Sequence, residues 1–435
     1  MHNILRLYIV LFLAVLLSAP TTARSATAGN VHPNIELSLT ERFRLVTWDN
    51  VISLDDGSST GVSFTRHRTS AMGRWFPSER FEFALKLTNE FRNYFVPENS
   101  RLTAHELFVD QLYARANLNP RLPLTVTAGR QNMILGEGFV MMDGSPLDGS
   151  RSIYFNALRF DIELASQRTL TLFYSYQDYE DNALPIINSQ DQPLIEQPEE
   201  GFGAYFTGQS DPLDLQVYFI RKNIKQRPGS SYQTSEINCL GARAKYPLLS
   251  QATATIEAAY QVGKFGDWDR KAFGGYWYLD YKTNWPDYLP QMITVGGVFL
   301  SGDDPSSEDW ESWDPLFSRW PKWSESYIYT LIPEKGVAQW QNLASLWCRT
   351  DFTLSDDVTF RLDYHHLMSP QVCSNASYGG EGKTRGNLMI GKLMYVLNPC
   401  LTGHLLWEHF EPGSFYFDGA DTYNWLRAEL MLSVK

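Results

Sequence analysis

Apolar and polar residues alternate with a period of two along most of the chain beyond residue 29, in segments of about ten residues. Ile35, Leu37, Leu39, Phe43 and Leu45 share one face of a segment whose other face is Glu36, Ser38, Thr40, Arg42 and Arg44. Phe81, Phe83, Leu85, Leu87 and Phe91 stand against Glu82, Lys86, Thr88, Glu90 and Arg92. Near the end, Leu426, Ala428, Leu430, Leu432 and Val434 alternate with Arg427, Glu429, Ser433 and Lys435. Successive side chains on a strand point to opposite faces, so each segment predicts a strand with one greasy side and one ionic side.

Extended over the chain, the pattern predicts strands at 35–48, 62–75, 79–95, 104–118, 122–131, 152–164, 168–178, 200–208 and 213–223. It continues at 236–246, 251–263, 271–283, 290–301, 337–350, 356–368, 384–397, 401–411 and 422–434, an even total of eighteen. Connections after odd strands are mostly long (Asp49–Gly61, Asn132–Arg151, Tyr179–Glu199, Gly302–Gly336, Met368–Lys383), and those after even strands are mostly short (Pro77-Ser78, Ala165–Gln167, Asp211-Pro212, Asn398–Cys400). A soluble β-sandwich has no reason to sort its loops by end. A closed antiparallel transmembrane β-barrel does, because no unpaired strand edge or irregular backbone can face hydrocarbon. The fold class expected is therefore all-β, a barrel of about eighteen strands. Aromatics near strand ends, Trp48, Trp75, Tyr94, Phe95, Trp277 and Trp425, suit interfacial girdles.

Composition narrows the class. A mean hydropathy of -0.29 with 20% charged residues excludes a helical membrane protein, and a formal charge of -12 argues against nucleic acid as a partner. Met1–Arg6, the apolar run Leu7–Leu17 and the small-residue site Ala26-Thr27-Ala28 predict a signal peptide over 1–28, cleaved near Ala28. Residues 29–435 then form a single outer-membrane barrel with long external loops near 132–151 and 302–336, in contact with lipid and lipopolysaccharide. The cysteines, Cys239, Cys348, Cys373 and Cys400, match no zinc or redox spacing. Cys373 falls in an external loop and Cys400 in a periplasmic turn, so they are expected to be too far apart to pair.

Three stretches carry a resemblance. Leu124–Arg159 runs through Ala128-Gly129-Arg130-Gln131, Gly136-Glu137-Gly138 and Tyr154-Phe155-Asn156-Ala157-Leu158-Arg159. Phe299-Leu300-Ser301-Gly302-Asp303-Asp304 leads into a loop with Trp313-Asp314-Pro315-Leu316-Phe317, and His404 leads through Glu408-His409-Phe410-Glu411-Pro412-Gly413 to the last strand. In these the chain resembles the alginate export family of outer-membrane barrels. The resemblance implies an eighteen-stranded channel that passes an anionic polysaccharide, such as alginate or its oligomers, along arginine-rich walls. Each uronate carries a carboxylate, and a narrow bore that strips its water must return hydrogen bonds and positive charge.

By parity, Arg42, Arg44, Arg92, Arg159, Arg243, Arg349, Arg361 and Arg427 face the lumen, with Lys86, Lys222 and Lys245. So do Glu36, Glu82, Glu90, Asp161, Glu163, Asp214, Glu257, Asp363, Glu408 and Glu429. Near-balance leaves two readings of each arginine, a contact for substrate or half of a cross-strand ion pair. Arg130 and Arg151 flank the loop 132–150 and are the candidate constriction, with Asp143 and Asp148 as their alternative partners. Trp310, Trp313, Trp320 and Trp323 make the second long loop either a packed plug or a stacking platform for sugar rings.

Asp363, His365 and His366 with Ser345 or Ser70 hint at a hydrolase set, but no Gly-x-Ser-x-Gly elbow accompanies them and no enzyme is expected. No metal or other cofactor is expected either: His404 and His409 lie on opposite faces, and no third ligand has useful spacing. The expected function is passive diffusion, export or uptake being decided by periplasmic partner proteins. Two alternatives are a general anion-preferring porin and a non-conducting surface barrel that binds glycan.

Overall fold

The computed structural model describes residues 34–58, 61–97, 106–118, 123–142, 154–189, 194–286, 288–318, 323–335 and 340–435. The expected signal peptide lies outside them. The wall is built from β1 (Ile35–Trp48), β2 (Val62–Ser78), β3 (Phe81–Val96), β4 (Leu107–Asn117), β5 (Leu124–Gln131), β6 (Phe155–Ala165) and β7 (Arg168–Gln177). It continues with β8 (Glu199–Ser210), β9 (Leu213–Ile224), β10 (Ser235–Leu249), β11 (Ala252–Phe265), β12 (Trp268–Lys282) and β13 (Met292–Leu300). The last strands are β14 (Leu343–Ser355), β15 (Val358–Met368), β16 (Thr384–Asn398), β17 (Leu401–Pro412) and β18 (Tyr423–Val434).

Each strand pairs antiparallel with the next, and β18 returns to β1 from Leu39↔Val434 to Trp48↔Trp425, closing an eighteen-stranded barrel. Boundaries match the alternation closely except at β14, expected at 337–350 and found at Leu343–Ser355. Trp340, inside the expected span, lies before the strand and is buried. All four cysteines are free, as the separation of Cys373 from Cys400 requires.

The apolar face points out. Leu37, Leu39, Phe83, Leu85, Val217, Phe219, Leu240, Ile256 and Leu405 are exposed around the wall. An apolar belt of that extent is unfavourable in water and favourable against acyl chains. Trp75 and Trp277 join this outer surface, but Trp48 and Trp425 do not. They share the parity of Arg44 and Arg427, point inward and stack on each other at 4.5 Å and 8°.

Among the described residues, the wall has a seam after β5. Gly129, at φ 121°, lets β5 kink: a Cβ there would stand 2.3 Å from the Leu112 carbonyl oxygen. Beyond Gln131 the chain leaves the wall for the lumen. The outer end of β4 therefore has no β5 to pair with, and Leu107 and Phe108 pair instead with Ile187 and Ile186 from the connection after β7.

Candidate channel lining and plug

Two connections fold into the barrel from the same end. After β5, Met133, Leu135, Phe139, Val140 and Met141 are buried inside. After β13, the chain crosses the lumen through Trp313, Leu316, Phe317 and the helix α1 (Tyr327–Lys335). The two meet where Met141–Met142 pairs in parallel with Phe317–Ser318, and the Phe317 amide donates to the Val140 carbonyl at 3.0 Å. Trp313 stacks on Phe139 at 5.2 Å and 18°.

Bare spots on the wall receive these rings. A Cβ on Gly274 of β12 would come within 2.6 Å of the Trp313 indole, and one on Gly201 of β8 within 2.5 Å of Phe317. Polar anchors complete the seating. Lys222 of β9 donates to the Leu316 carbonyl at 2.6 Å and lies 3.3 Å from the Asp314 carboxylate, while Gln261 of β11 donates to the Asp314 carbonyl at 2.6 Å. Arg270 of β12 donates to the Ser312 carbonyl at 2.7 Å. Burial pushes the Asp314 carboxyl up, but Lys222 and Arg270 outweigh it and hold the group below its ordinary value.

The far side of the plug is held at both ends of α1. Ser324 caps the helix by accepting from the Tyr327 amide at 3.0 Å. The buried Glu408 of β17 accepts from the amides of Glu325 and Ser326, each at 3.0 Å, placing negative charge at the positive helix end. Arg427 of β18 pairs with Glu325; burial raises that carboxyl, and the guanidinium overrides it and holds it at about 2. At the other end Arg385 of β16 grips Glu334 through both carboxylate oxygens, at 2.6 and 2.9 Å, with its guanidinium 4.0 Å above the Phe415 ring. Tyr329 leans on the stacked pair Trp48 and Trp425 at 5.4 and 5.3 Å.

What faces this plug across the lumen is basic. Arg42 of β1 stands opposite Arg68 of β2, Arg44 opposite Arg66, and Arg66 opposite Arg92 of β3. Arg66 meets Glu90 at 2.6 Å, Arg68 lies 3.5 Å from both Glu90 and Asp110, and Lys86 meets Asp110 at 2.7 Å. Arg44 pairs with Glu429. Among the described residues, six bases, Arg42, Arg44, Arg66, Arg68, Lys86 and Arg92, thus stand with three carboxylates, Glu90, Asp110 and Glu429, and the Arg427–Glu325 pair leaves that balance unchanged. Arg42 is 3% exposed, and its Nε and Nη2 have no hydrogen-bond partner among the described residues. A buried guanidinium without an acceptor is costly, so such a site favours any anion that reaches it.

The remaining expected lumen arginines are mostly halves of ion pairs. Arg159 pairs with Asp161 at 2.8 Å, Arg349 with Asp363 at 2.5 Å, Arg361 with Asp351 at 2.6 Å and Arg243 with Glu137 at 2.5 Å. Arg92 donates to the Tyr94 hydroxyl at 3.2 Å and lies over Phe64. Arg130 sits in the seam rather than in a constriction: it stands opposite the outward Leu112, pairs with Asp181 at 2.7 Å and lies 3.8 Å above Tyr154. Arg151, Asp143, Asp148 and Trp320 lie outside the described residues. Of the other loop aromatics, Trp313 is buried, Trp310 stacks on Phe265 at 4.1 Å, and Trp323 packs edge-on against Trp340 at 5.9 Å. Trp313 packs within the plug, whereas Trp310 packs on the end of the wall.

Arg66, Arg68 and Arg385 escaped the sequence reading. β2 has no apolar face to assign parity from, since Thr65, His67, Thr69, Ala71 and Gly73 alternate with Phe64, Arg66, Arg68, Ser70 and Met72. The available signal was the matching pair Arg42 and Arg44 on the strand before it. The hydrolase set is not assembled either, because Asp363 is bound to Arg349 and Ser70 to Thr88.

No family model matches the chain, and no curated protein matches it by sequence. Solved structures do. The Pseudomonas aeruginosa channel OccK2 (OpdF), determined in complex with glucuronate, superposes with a TM-score of 0.59 over 92% of this chain and 98% of that one, at 12% identity. Pseudomonas aeruginosa OpdK with vanillate gives 0.57, with the same coverages, at 9% identity. Pseudomonas aeruginosa OprD gives 0.56 over 92% of this chain and 95% of that one, at 11% identity. The fold is that of an outer-membrane porin barrel. Within that fold, the inward connections after β5 and β13 make a fixed plug, and the β1–β3 wall supplies the surplus positive charge.

Proposed function

We propose that this porin-type barrel is a passive outer-membrane channel for small carboxylate-bearing solutes, uronates and short oligouronates foremost. The observation that carries the reading is the guanidinium of Arg42, whose Nε and Nη2 have no hydrogen-bond partner among the described residues, standing beside Arg44, Arg66 and Arg68. A carboxylate arriving there replaces lost water with charge-assisted hydrogen bonds, and a guanidinium fork matches its geometry. The complexes of OccK2 with glucuronate and OpdK with vanillate support a carboxylate as the shared feature. The plug, tied to both walls, favours monomers and short chains over a polymer such as alginate. The barrel has no energy-coupling element among the described residues, so solute moves down its gradient, and periplasmic proteins set whether that is uptake or export.

Planar-bilayer recording tests this. Anion-selective conductance that glucuronate blocks and glucose does not is the expected result. Conductance without block returns the general anion porin; absent conductance with retained glycan binding returns the surface-binding barrel. Block by alginate polymer at lower concentration than by glucuronate restores the polysaccharide channel.

A further inference from the structure

We infer that the external rim of the barrel carries a sugar-binding platform, with Trp268 as the ring on which a pyranose stacks before it enters the channel. Phe265 ends β11 and Trp268 opens β12, and the two are register partners across the turn Gly266-Asp267, at the end from which the plug enters. Trp310, from the connection after β13, pairs in parallel with Arg270 of β12 and so lies on the same side of the wall. That side is the inner one: Arg270 reaches the plug at Ser312, and Gly274 lies under Trp313. Trp268 shares the parity of Arg270 and Gly274. Phe273 and Trp277 have the opposite parity and are exposed towards lipid, so a girdle role belongs to them and not to Trp268.

The rings are held as a set. Phe265 and Trp310 stack at 4.1 Å and 20°, Trp268 stands 6.4 Å from Phe265 and 6.5 Å from Trp310, and Tyr232 meets Phe265 edge-on at 6.3 Å. Phe265 and Trp310 cover each other and are half-buried, whereas Trp268 is 48% exposed. Arg270 lies 5.7 Å from the Phe265 centroid, and Lys271 fastens Asp309 beside Trp310 at 2.7 Å. A surface fixed in this way needs little further ordering to bind. An indole left open to water at a channel mouth fits a ligand that is apolar on its flat side and polar at its edge. A pyranose has that form: its C–H face covers the ring, while its hydroxyls meet water and the exposed pair Lys264 and Asp269, next in sequence to Phe265 and Trp268. The basic row on β1–β3 lies halfway round the barrel from β11 and β12 and takes the carboxylate. The platform takes the ring, so together they favour sugar acids over other carboxylates. The inference deepens the reading of the barrel as a uronate channel and rests on it for the solute.

Titration calorimetry of the full chain in detergent, with an alginate trisaccharide and with benzoate as a carboxylate that lacks a pyranose, tests it. The expected result is that Trp268→Ala weakens trisaccharide binding about tenfold and leaves benzoate unaffected, while the lipid-facing Trp277→Ala changes neither. No trisaccharide binding by the unaltered chain, an unchanged trisaccharide affinity in Trp268→Ala, or an equal loss for benzoate overturns the platform. Failure of the two readings is distinguishable: absent block by glucuronate in the bilayer removes the carboxylate channel and leaves the Trp268 comparison standing, whereas an unchanged trisaccharide affinity removes the platform and leaves the block standing. Heat-shifted gel migration confirms that each variant is a folded barrel; if Trp268→Ala is not, Trp268→Leu, which keeps apolar bulk without the ring, provides the same comparison.

Discussion

Arg42 and Arg68 face each other across the β1–β2 ladder, with Arg44 and Arg66 forming the next rung. Like charges directly opposed destabilise a sheet, so these positions are set by something other than wall strength. Arg42→Ala should therefore leave the unfolding midpoint unchanged or raise it. It should also weaken anion preference: a unit charge about 8 Å from the solute contributes about 2 kcal/mol at an effective dielectric near 20, before salt screening. A several-fold drop in anion-to-cation permeability at low salt, read from the reversal potential, is the expected outcome. An unchanged reversal potential removes Arg42 from the pathway.

Arg385 and Glu334 make the opposite prediction. Both side chains are almost fully buried, at 0% and 5% exposure, and each is the other's counter-charge. Removing one strands the other, which typically costs about 3–5 kcal/mol. Glu334→Ala should free α1 from the wall, giving noisy, larger conductance and protease cleavage between residues 323 and 342, while the barrel still migrates as folded.

Glu325 supplies a pH test. Its carboxyl is held at about 2 in the folded plug against an ordinary 4.5, so its contribution is complete above 4.5 and is lost as pH falls from there towards 2. Fluorescence of the plug tryptophans, Trp323 and Trp340 among them, should report docking that is flat above pH 5 and loosens below 4. Glu325→Gln should abolish that transition and show partial loosening at neutral pH.

The glycine seat under Trp313 makes a steric test. A side chain at Gly274 has no room beside the indole, so Gly274→Val should lift Trp313 from Phe139 and the wall. Trp313→Ala should cost about 3–5 kcal/mol through the cavity it leaves. The double variant should be less impaired than the sum of the single ones, because the isopropyl group added at the glycine would fill part of that space, and chemical unfolding of the three chains measures the difference.

The wall was readable because its code is local. Period-two alternation marks Ile35–Trp48 or Tyr423–Val434 without knowledge of any neighbour, and loop lengths alone sort the two ends of the barrel. The interior was not, because it depends on register. Arg130 carries the parity of a wall residue, yet its role comes from Asp181, fifty-one positions away in sequence. Trp48 and Trp425 read as girdle residues until pairing placed them together inside. Which arginine stays unpaired is likewise a property of two adjacent strands: Arg42 and Arg44 look alike in the sequence, and only the ladder with β18 brings Glu429 to Arg44.

Where β5 departs for the lumen, the wall borrows Ile186 and Ile187 and fastens them through Arg130 and Asp181. That surface connection is thereby part of the hull. Its neighbours can lengthen, shorten or change composition at little expense, but trimming this one would open a window sideways into the outer leaflet, exposing bare peptide groups to lipid. Variation among descendants of this chain should accordingly be held back there, on a stretch that in outline is merely another external loop.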